Sequence, residues 1–247
     1  MHIPANALIN LLHQCSFGTL ASHARQTGGY PYPTVLPFVT DNRHRPAILI
    51  SRLAEHTRNL QADARAGFLV FDAPDGQVIE GPRLTLLGDC HPVADTPDAG
   101  GIARRYLRYH PDAERYLALG DFSFFSMTPL RLRYIGGFGA MGWLDGSTLD
   151  LTPPLADDEE VALLDEFGGP LPASVRLLGI DRHGVDLVRA GQRRRHAFND
   201  PPLSDAEQQA ASASEADADA IHHVLDFETL RLALRECVDE LAREALT

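Results

Sequence analysis

The residues best placed to do chemistry lie between Pro46 and Arg65, in the stretch PAILISRLAEHTRNLQADAR. A short apolar run ends at Ser51, and a helical pattern begins within a few residues. The first turn of that helix carries His56, Thr57 and Arg58, so hydroxyl, imidazole and guanidinium groups gather at a helix N-terminus. Unsatisfied N–H groups and the positive end of the helix dipole make such a corner receptive to an anion. Ser51, His56, Thr57 and Arg58 are therefore candidate phosphate donors. An ordinary capped helix with solvated polar residues fits the same stretch.

Composition narrows that chemistry. The chain has 247 residues, 34 of them acidic and 22 basic, and the net charge is −12. All the basic residues are Arg, so there is no amine for Schiff-base chemistry and no P-loop lysine. An acidic surface repels phosphate backbones, which disfavours nucleic acid as a partner. Cys15, Cys90 and Cys237 are far apart and form no CxxC pair, which argues against a disulfide framework or a Cys-rich zinc site. The N-terminal MHIPANALINLLHQCSFG lacks the charged start of a signal peptide. No apolar run approaches ~18 residues, so no helical span is predicted. These features predict a cytoplasmic protein that crosses no membrane.

The elements that must position these groups are short strands separated by turns. A helical pattern over Ile3–Gln14 precedes strands at Phe17–Ser22, Pro33–Thr40 and Pro46–Ser51. A helix near Ala54–Ala62 leads to strands at Gly67–Phe71 and Arg83–Cys90, and Asp75–Gly76 offers a turn between them. Thr96-Pro97 is a good start for a helix carrying Ile102, Tyr106 and Leu107. Strands at Phe122–Met127 and Leu130–Ile135 follow, the second running into Gly136-Gly137-Phe138-Gly139. Many short strands with few helices predict a small antiparallel barrel over residues 1–150.

The Pro- and acid-rich segment Asp150–Asp158 marks a boundary. Beyond it, helix Glu159–Phe167 and strands Ser174–Ile180, Val185–Arg189 and Gln192–Phe198 predict a three-stranded meander. Ser204 and Glu207 form a capping-box pair, and a last helix spans about Glu228–Leu246. Residues 155–247 thus read as a smaller α+β domain, giving a mainly β, α+β chain.

The order FGTLAS, YPTVLPFV, ILISRLAEHTRNLQADARA, GPRLTLLGD, YHPDAERYLALGDFSFF and RLRYIGGFGAMGWL resembles the pyridoxamine-phosphate-oxidase-like FMN-binding split barrels. More narrowly it is similar to their haem-utilisation branch, in which a small α/β domain follows the barrel. The likeness covers most of residues 10–145, with LAEHTRNL and IGGFG beside Trp143 as its specific parts. It implies a homodimer through the barrel, with FMN at the subunit interface and its phosphate clasped by one subunit. Thr34 and Val35, in Tyr32–Pro37, would run along the flavin ring, and Ser51 matches the hydroxyl residue ending the next strand. His56 and Thr57 stand where the oxidases carry an Arg-Lys pair. Arg83 matches a polar residue reaching ring or phosphate, while Trp143 and Phe138 would come from the partner subunit. The oxidases' C-terminal substrate residues have no counterpart, so oxidation of pyridoxamine phosphate is not implied.

Other residues point elsewhere. His222-His223 are adjacent, and on a helix they diverge by ~100°, so at most one faces a given site. His183 and His196 are candidate haem ligands near turns. Alternation places Arg193 and Arg195 on one strand face, for haem propionates or an acidic partner, or as a solvated edge that resists strand pairing. The opening helix ADDEEVALLDEF lacks the Asn and His usual in the haem-utilisation branch. Phe122, Phe124 and Phe125 read as barrel core alternating with dimer surface, and Cys15 and Cys90 as buried and inert. Three readings stay open: an FMN-dependent oxidoreductase, a haem-binding or haem-degrading protein, and a non-catalytic dimeric module. The sequence singles out no catalytic residue and no metal site.

Overall fold

Strand alternation and a long shared strand build the first unit. The computed structural model describes residues 3, 5–73, 76–93, 99–136, 140–198 and 226–244. Thr96-Pro97, Asp75, Phe138 with its neighbouring glycines 137 and 139, the Ser204 and Glu207 pair, and His222-His223 lie outside the described residues. The chain divides into two compact units at residue 150.

In the first unit, helix α1 (Ala5–Gln14) precedes strands β1 (Phe17–His23), β2 (Pro31–Thr40) and β3 (Pro46–Ser51). Helix α2 (Glu55–Ala62), strands β4 (Arg65–Phe71) and β5 (Arg83–Pro92), and helices α3 (Ala99–Tyr109) and α4 (Glu114–Leu117) follow. Strands β6 (Phe122–Ile135) and β7 (Met141–Asp145) complete it. The antiparallel order is β3-β2-β1-β4-β5-β6-β7, and β3 also pairs with β6, closing six strands into a barrel. Alternate residues fill its interior: Leu20, Phe38, Phe68, Leu84, Leu86 and Leu132 are fully buried, and α1 adds Leu8 and Leu12 to the same core. The Phe38 and Phe68 rings meet edge to face at 5.1 Å.

The barrel splits along β6. The six-residue β3 reaches only Phe122–Ser126, and the free edge of Arg131–Ile135 pairs with β7 instead. The sequence predicts two strands here, because Pro129 interrupts the pattern. One strand of 14 residues is found, since Pro129 falls between the β3 and β7 pairings and needs no donor there. Opposite it, β5 bulges between Leu87 and Gly88. A Cβ at Gly88 would lie 2.1 Å from the Thr128 carbonyl, so glycine alone permits this approach. Strand β7 is absent from the sequence reading; its five residues follow glycines, and its apolar Met141 and Trp143 are exposed.

Phe125 enters the core as expected, but Phe124 packs on Tyr106 of α3 and Phe122 on Tyr116 of α4. These two rings stay half-buried against the chain's own helices. All three cysteines are buried free thiols, and burial pushes Cys90 and Cys237 up to about 12.

The second unit comprises α5 (Asp157–Gly168), β8 (Val175–Asp181), β9 (Gly184–Arg189), β10 (Gln192–Ala197) and α6 (Phe227–Glu244). The three strands form the expected meander, and both helices supply Leu163, Phe167, Leu230 and Leu234 to one core with Leu177 and Leu187. Arg195 departs from the sequence reading. Its side chain is 2% exposed and donates to both Asp181 oxygens at 2.8 and 2.9 Å and to Asp186 at 3.0 Å. Burial opposes the charge, yet attraction to the two carboxylates outweighs it and raises the Arg195 pKa. Arg195 is thus committed to the unit's interior, offered neither to a propionate nor to solvent. No helix among the described residues is long and apolar enough to cross a membrane.

Candidate functional site

Two separate corners of the first unit carry the predicted site residues. At the first, β3 ends at Ser51 and α2 starts at Glu55, as the sequence predicts. Ser51 donates its hydroxyl to Asp121 at 2.5 Å and accepts the Leu53 N–H at 3.0 Å. Thr57 is buried and donates to the Ser51 carbonyl at 2.6 Å. Arg58 is exposed and lies 4.0 Å from Glu55. Ala54 occupies the N-cap without a side-chain cap. The hydroxyls expected to clasp a phosphate therefore tie the β3–α2 corner together. His56 differs: its Nε2 is buried without a hydrogen-bond partner, and burial holds its pKa below the ordinary value of 6.5. At neutral pH this imidazole offers a hydrogen bond and no charge.

Arg83 is engaged as well. Its Nη1 donates to the carbonyls of Val78 at 2.6 Å and Ile79 at 3.1 Å, in the loop between β4 and β5. Thr34 lies opposite Leu20 and shares its inward side, whereas Val35 lies opposite Thr19 and is 68% exposed. Neighbouring strand residues face opposite ways, so Val35 alone presents its side chain on the outer face.

The second corner is on that outer face. The register sets Val35, Thr19, Leu69, Thr85, Arg133 and Trp143 in one row across six strands. Val35 on β2 and Trp143 on β7 stand at the two ends of this row. The Trp143 indole is 52% exposed, and the Arg131 and Arg133 guanidinium carbons each lie 5.7 Å from its ring centroid. Asp145 is opposite Arg131 but accepts from the Ser147 hydroxyl and N–H, which hold its pKa down, with a smaller part from Arg131. The arrangement is an open aromatic plate with two cations above it, next to exposed Leu87. It suits a planar ligand bearing carboxylates. Sequence reasoning singled out Trp143 but missed Arg131 and Arg133; their i, i+2 spacing on a strand ending near an aromatic residue was the available signal.

The remaining predicted ligands lie in the second unit. The His183 N–H donates to Asp181 at 2.7 Å, and the His196 ring sits 6.3 Å from Phe198.

A family model described as CREG, β-barrel matches residues 5–149, the whole of the first unit's described elements. The chain belongs to the CREG β-barrel family. One curated relative is the non-canonical heme oxygenase HOZ, chloroplastic, of Arabidopsis thaliana, 31% identical over 134 residues. That match covers 54% of this chain and 40% of the relative, so the chain spans less than half of that protein's length. Among solved structures, a protein of unknown function from Agrobacterium tumefaciens is 22% identical, covers 94% of both chains and has a TM-score of 0.66. A heme binding protein from Mycobacterium smegmatis is 20% identical, covers 94% of this chain and 97% of its own, and has a TM-score of 0.57. Both show the fold over nearly the whole chain. The CREG-type barrel seen here is thus the split barrel that the sequence motifs imply, closed by six strands and extended by β7, which they do not imply.

Proposed function

We propose that this CREG-family chain is a haem-binding protein of haem utilisation, holding the porphyrin on the outer face at β6 and β7. The observation that carries this reading is the exposed Trp143 indole beneath the Arg131 and Arg133 guanidiniums. A porphyrin is planar, apolar at its centre and anionic at its two propionates. Arg131 and Arg133 would hold propionates, while Trp143 would stack on the ring. The relative named as a heme oxygenase, similar across the barrel, supports the same ligand class. When bound, haem supplies iron chemistry; the chain's residues bind and orient it.

FMN is the second reading, and the unpartnered His56 Nε2 favours it. The other expected phosphate donors already serve protein carbonyls and carboxylates, which ranks FMN below haem. Titration of the protein with haem, followed by its Soret band, separates the two when run beside an FMN fluorescence titration. Saturable haem binding is expected, and R131A/R133A should weaken it ~10–100-fold, about 1.4–2.8 kcal/mol. FMN binding lost in H56A, with no response to haem, overturns the haem reading in favour of flavin. Uptake of neither ligand leaves a non-catalytic module.

A further inference from the structure

Two histidines outside the proposed ligand corner meet inside the first unit. His13 stands in the last turn of α1, and His44 lies in the loop joining β2 to β3. Both are buried, at 1% and 4% exposure, beside the fully buried Thr40. His13 Nε2 lies 3.0 Å from His44 Nδ1 and 3.0 Å from the Thr40 hydroxyl. The two rings meet edge on, with centroids 5.2 Å apart and planes at 65°.

Protons alone serve this arrangement poorly. A neutral imidazole nitrogen either donates one hydrogen bond or accepts one. His13 Nε2 therefore serves one of these two neighbours well and only shares itself with the other. A cation at the point where the ring nitrogens converge takes both lone pairs. With Zn–N bonds of ~2.0–2.1 Å, two imidazoles on a tetrahedral ion have nitrogens roughly 3.3 Å and ring centroids roughly 5.2 Å apart. The His13–His44 pair is close to both values.

The backbone is shaped to deliver these groups. His44 holds φ +61°, a left-handed conformation that glycine takes without steric cost. Asp41 braces the loop: its carboxylate accepts the Arg43 and Arg45 N–H groups at 2.8 and 2.9 Å, and its carbonyl accepts the His44 N–H at 3.1 Å. His13 sits at the carboxyl end of α1, where the negative end of the helix dipole favours a cation. We infer that His13 Nε2 and His44 Nδ1 are ligands of a first-row divalent cation of the zinc class. Imidazole suits such ions, whereas magnesium and calcium take oxygen donors. Once Nε2 is given to the ion, the Thr40 hydroxyl is left to orient the His13 ring. Two imidazoles leave the remaining positions to oxygen donors, water included. The ion would tie the end of α1 to the β2–β3 loop, and the inference does not rest on the haem reading.

The test is calorimetric titration of Zn²⁺ into the full chain, stripped with EDTA and dialysed free of it, with circular dichroism to verify folding. The wild type should bind one Zn²⁺ per chain with a micromolar or lower Kd. H13Q and H44G should each weaken binding roughly 100-fold or more, and T40V, which removes only the orienting hydroxyl, roughly 10-fold. Glycine relieves the backbone at position 44, and glutamine keeps a polar side chain at position 13, so the two variants test the pair by independent routes. H91A removes an exposed histidine of β5 and should bind as the wild type does. A wild type that takes up no Zn²⁺ at about 100 µM overturns the inference. So does a folded H13Q or H44G that binds as tightly as the wild type, or loss of the site in H91A.

Discussion

Replacing Arg195 with Met tests whether the second unit depends on its buried ion cluster. The guanidinium makes three bonds of 2.8–3.0 Å to Asp181 and Asp186, and neither it nor Asp186 reaches solvent. Methionine keeps most of the apolar stem, so the loss is electrostatic rather than volumetric. Each charge-assisted bond contributes about 1.5–3 kcal/mol, but the three share two carboxylates and do not add. Leaving buried carboxylates without their cation costs about 3–5 kcal/mol, a large part of the ~5–15 kcal/mol that holds a domain folded. The sign with pH follows from burial. Orphaned carboxylates have raised folded pKa values, so the folded variant binds more protons than the unfolded chain, and the penalty shrinks as pH falls from 8 towards 5. R195M/D181N/D186L should recover most of the loss, since the side-chain amide that replaces the Asp181 carboxylate still accepts the His183 N–H through its oxygen. Urea unfolding followed by circular dichroism measures the change. Trp143, the single tryptophan, lies in the first unit, so its fluorescence serves as an internal control. A loss under about 1 kcal/mol at pH 8, or a penalty that grows on acidification, refutes the argument.

Two further outcomes follow from the barrel. G88A forces a methyl group against the Thr128 carbonyl at the β5 bulge and should cost about 1–3 kcal/mol or more, read from denaturant unfolding by Trp143 fluorescence. His56 is held neutral by burial, so stability should fall as pH drops below 6.5 towards its lowered folded value, where the unfolded chain takes up the proton first. H56L removes that component, and a thermal-melt series from pH 7.5 to 5 should flatten accordingly.

Much of the barrel was legible because its strands alternate cleanly. Pro46–Ser51 is an unbroken apolar run and was placed to the residue, since β3 is buried along nearly its whole length. Strand β7 was not legible: Met-Gly-Trp-Leu-Asp carries alternate exposed side chains whose purpose is the outer face rather than the core. The site was read less well for a related reason. Sequence names which donors are present, but not what they already bond. Ser51 and Thr57 look like phosphate ligands until the Asp121 carboxylate and the Ser51 carbonyl are seen to occupy them. Arg195 looks like a surface charge until β8 and β9 bring Asp181 and Asp186 around it. Arg131 and Arg133 matter only because β7 delivers Trp143 beneath them, a pairing that depends on the missed strand.

The sharing of β6 between two partners also sets an order of events during folding. Its C-terminal half pairs with β7, which follows it closely in the sequence, so little chain entropy is lost in joining them. Its N-terminal half must find β3, with Ala47 meeting Ser126 across more than half of the barrel's sequence. Such distant pairing slows folding and leaves strand edges open while it waits. The β3–β6 seam should therefore zip last, and the chain just released from synthesis would present β3 and β6 as unpaired edges until it does.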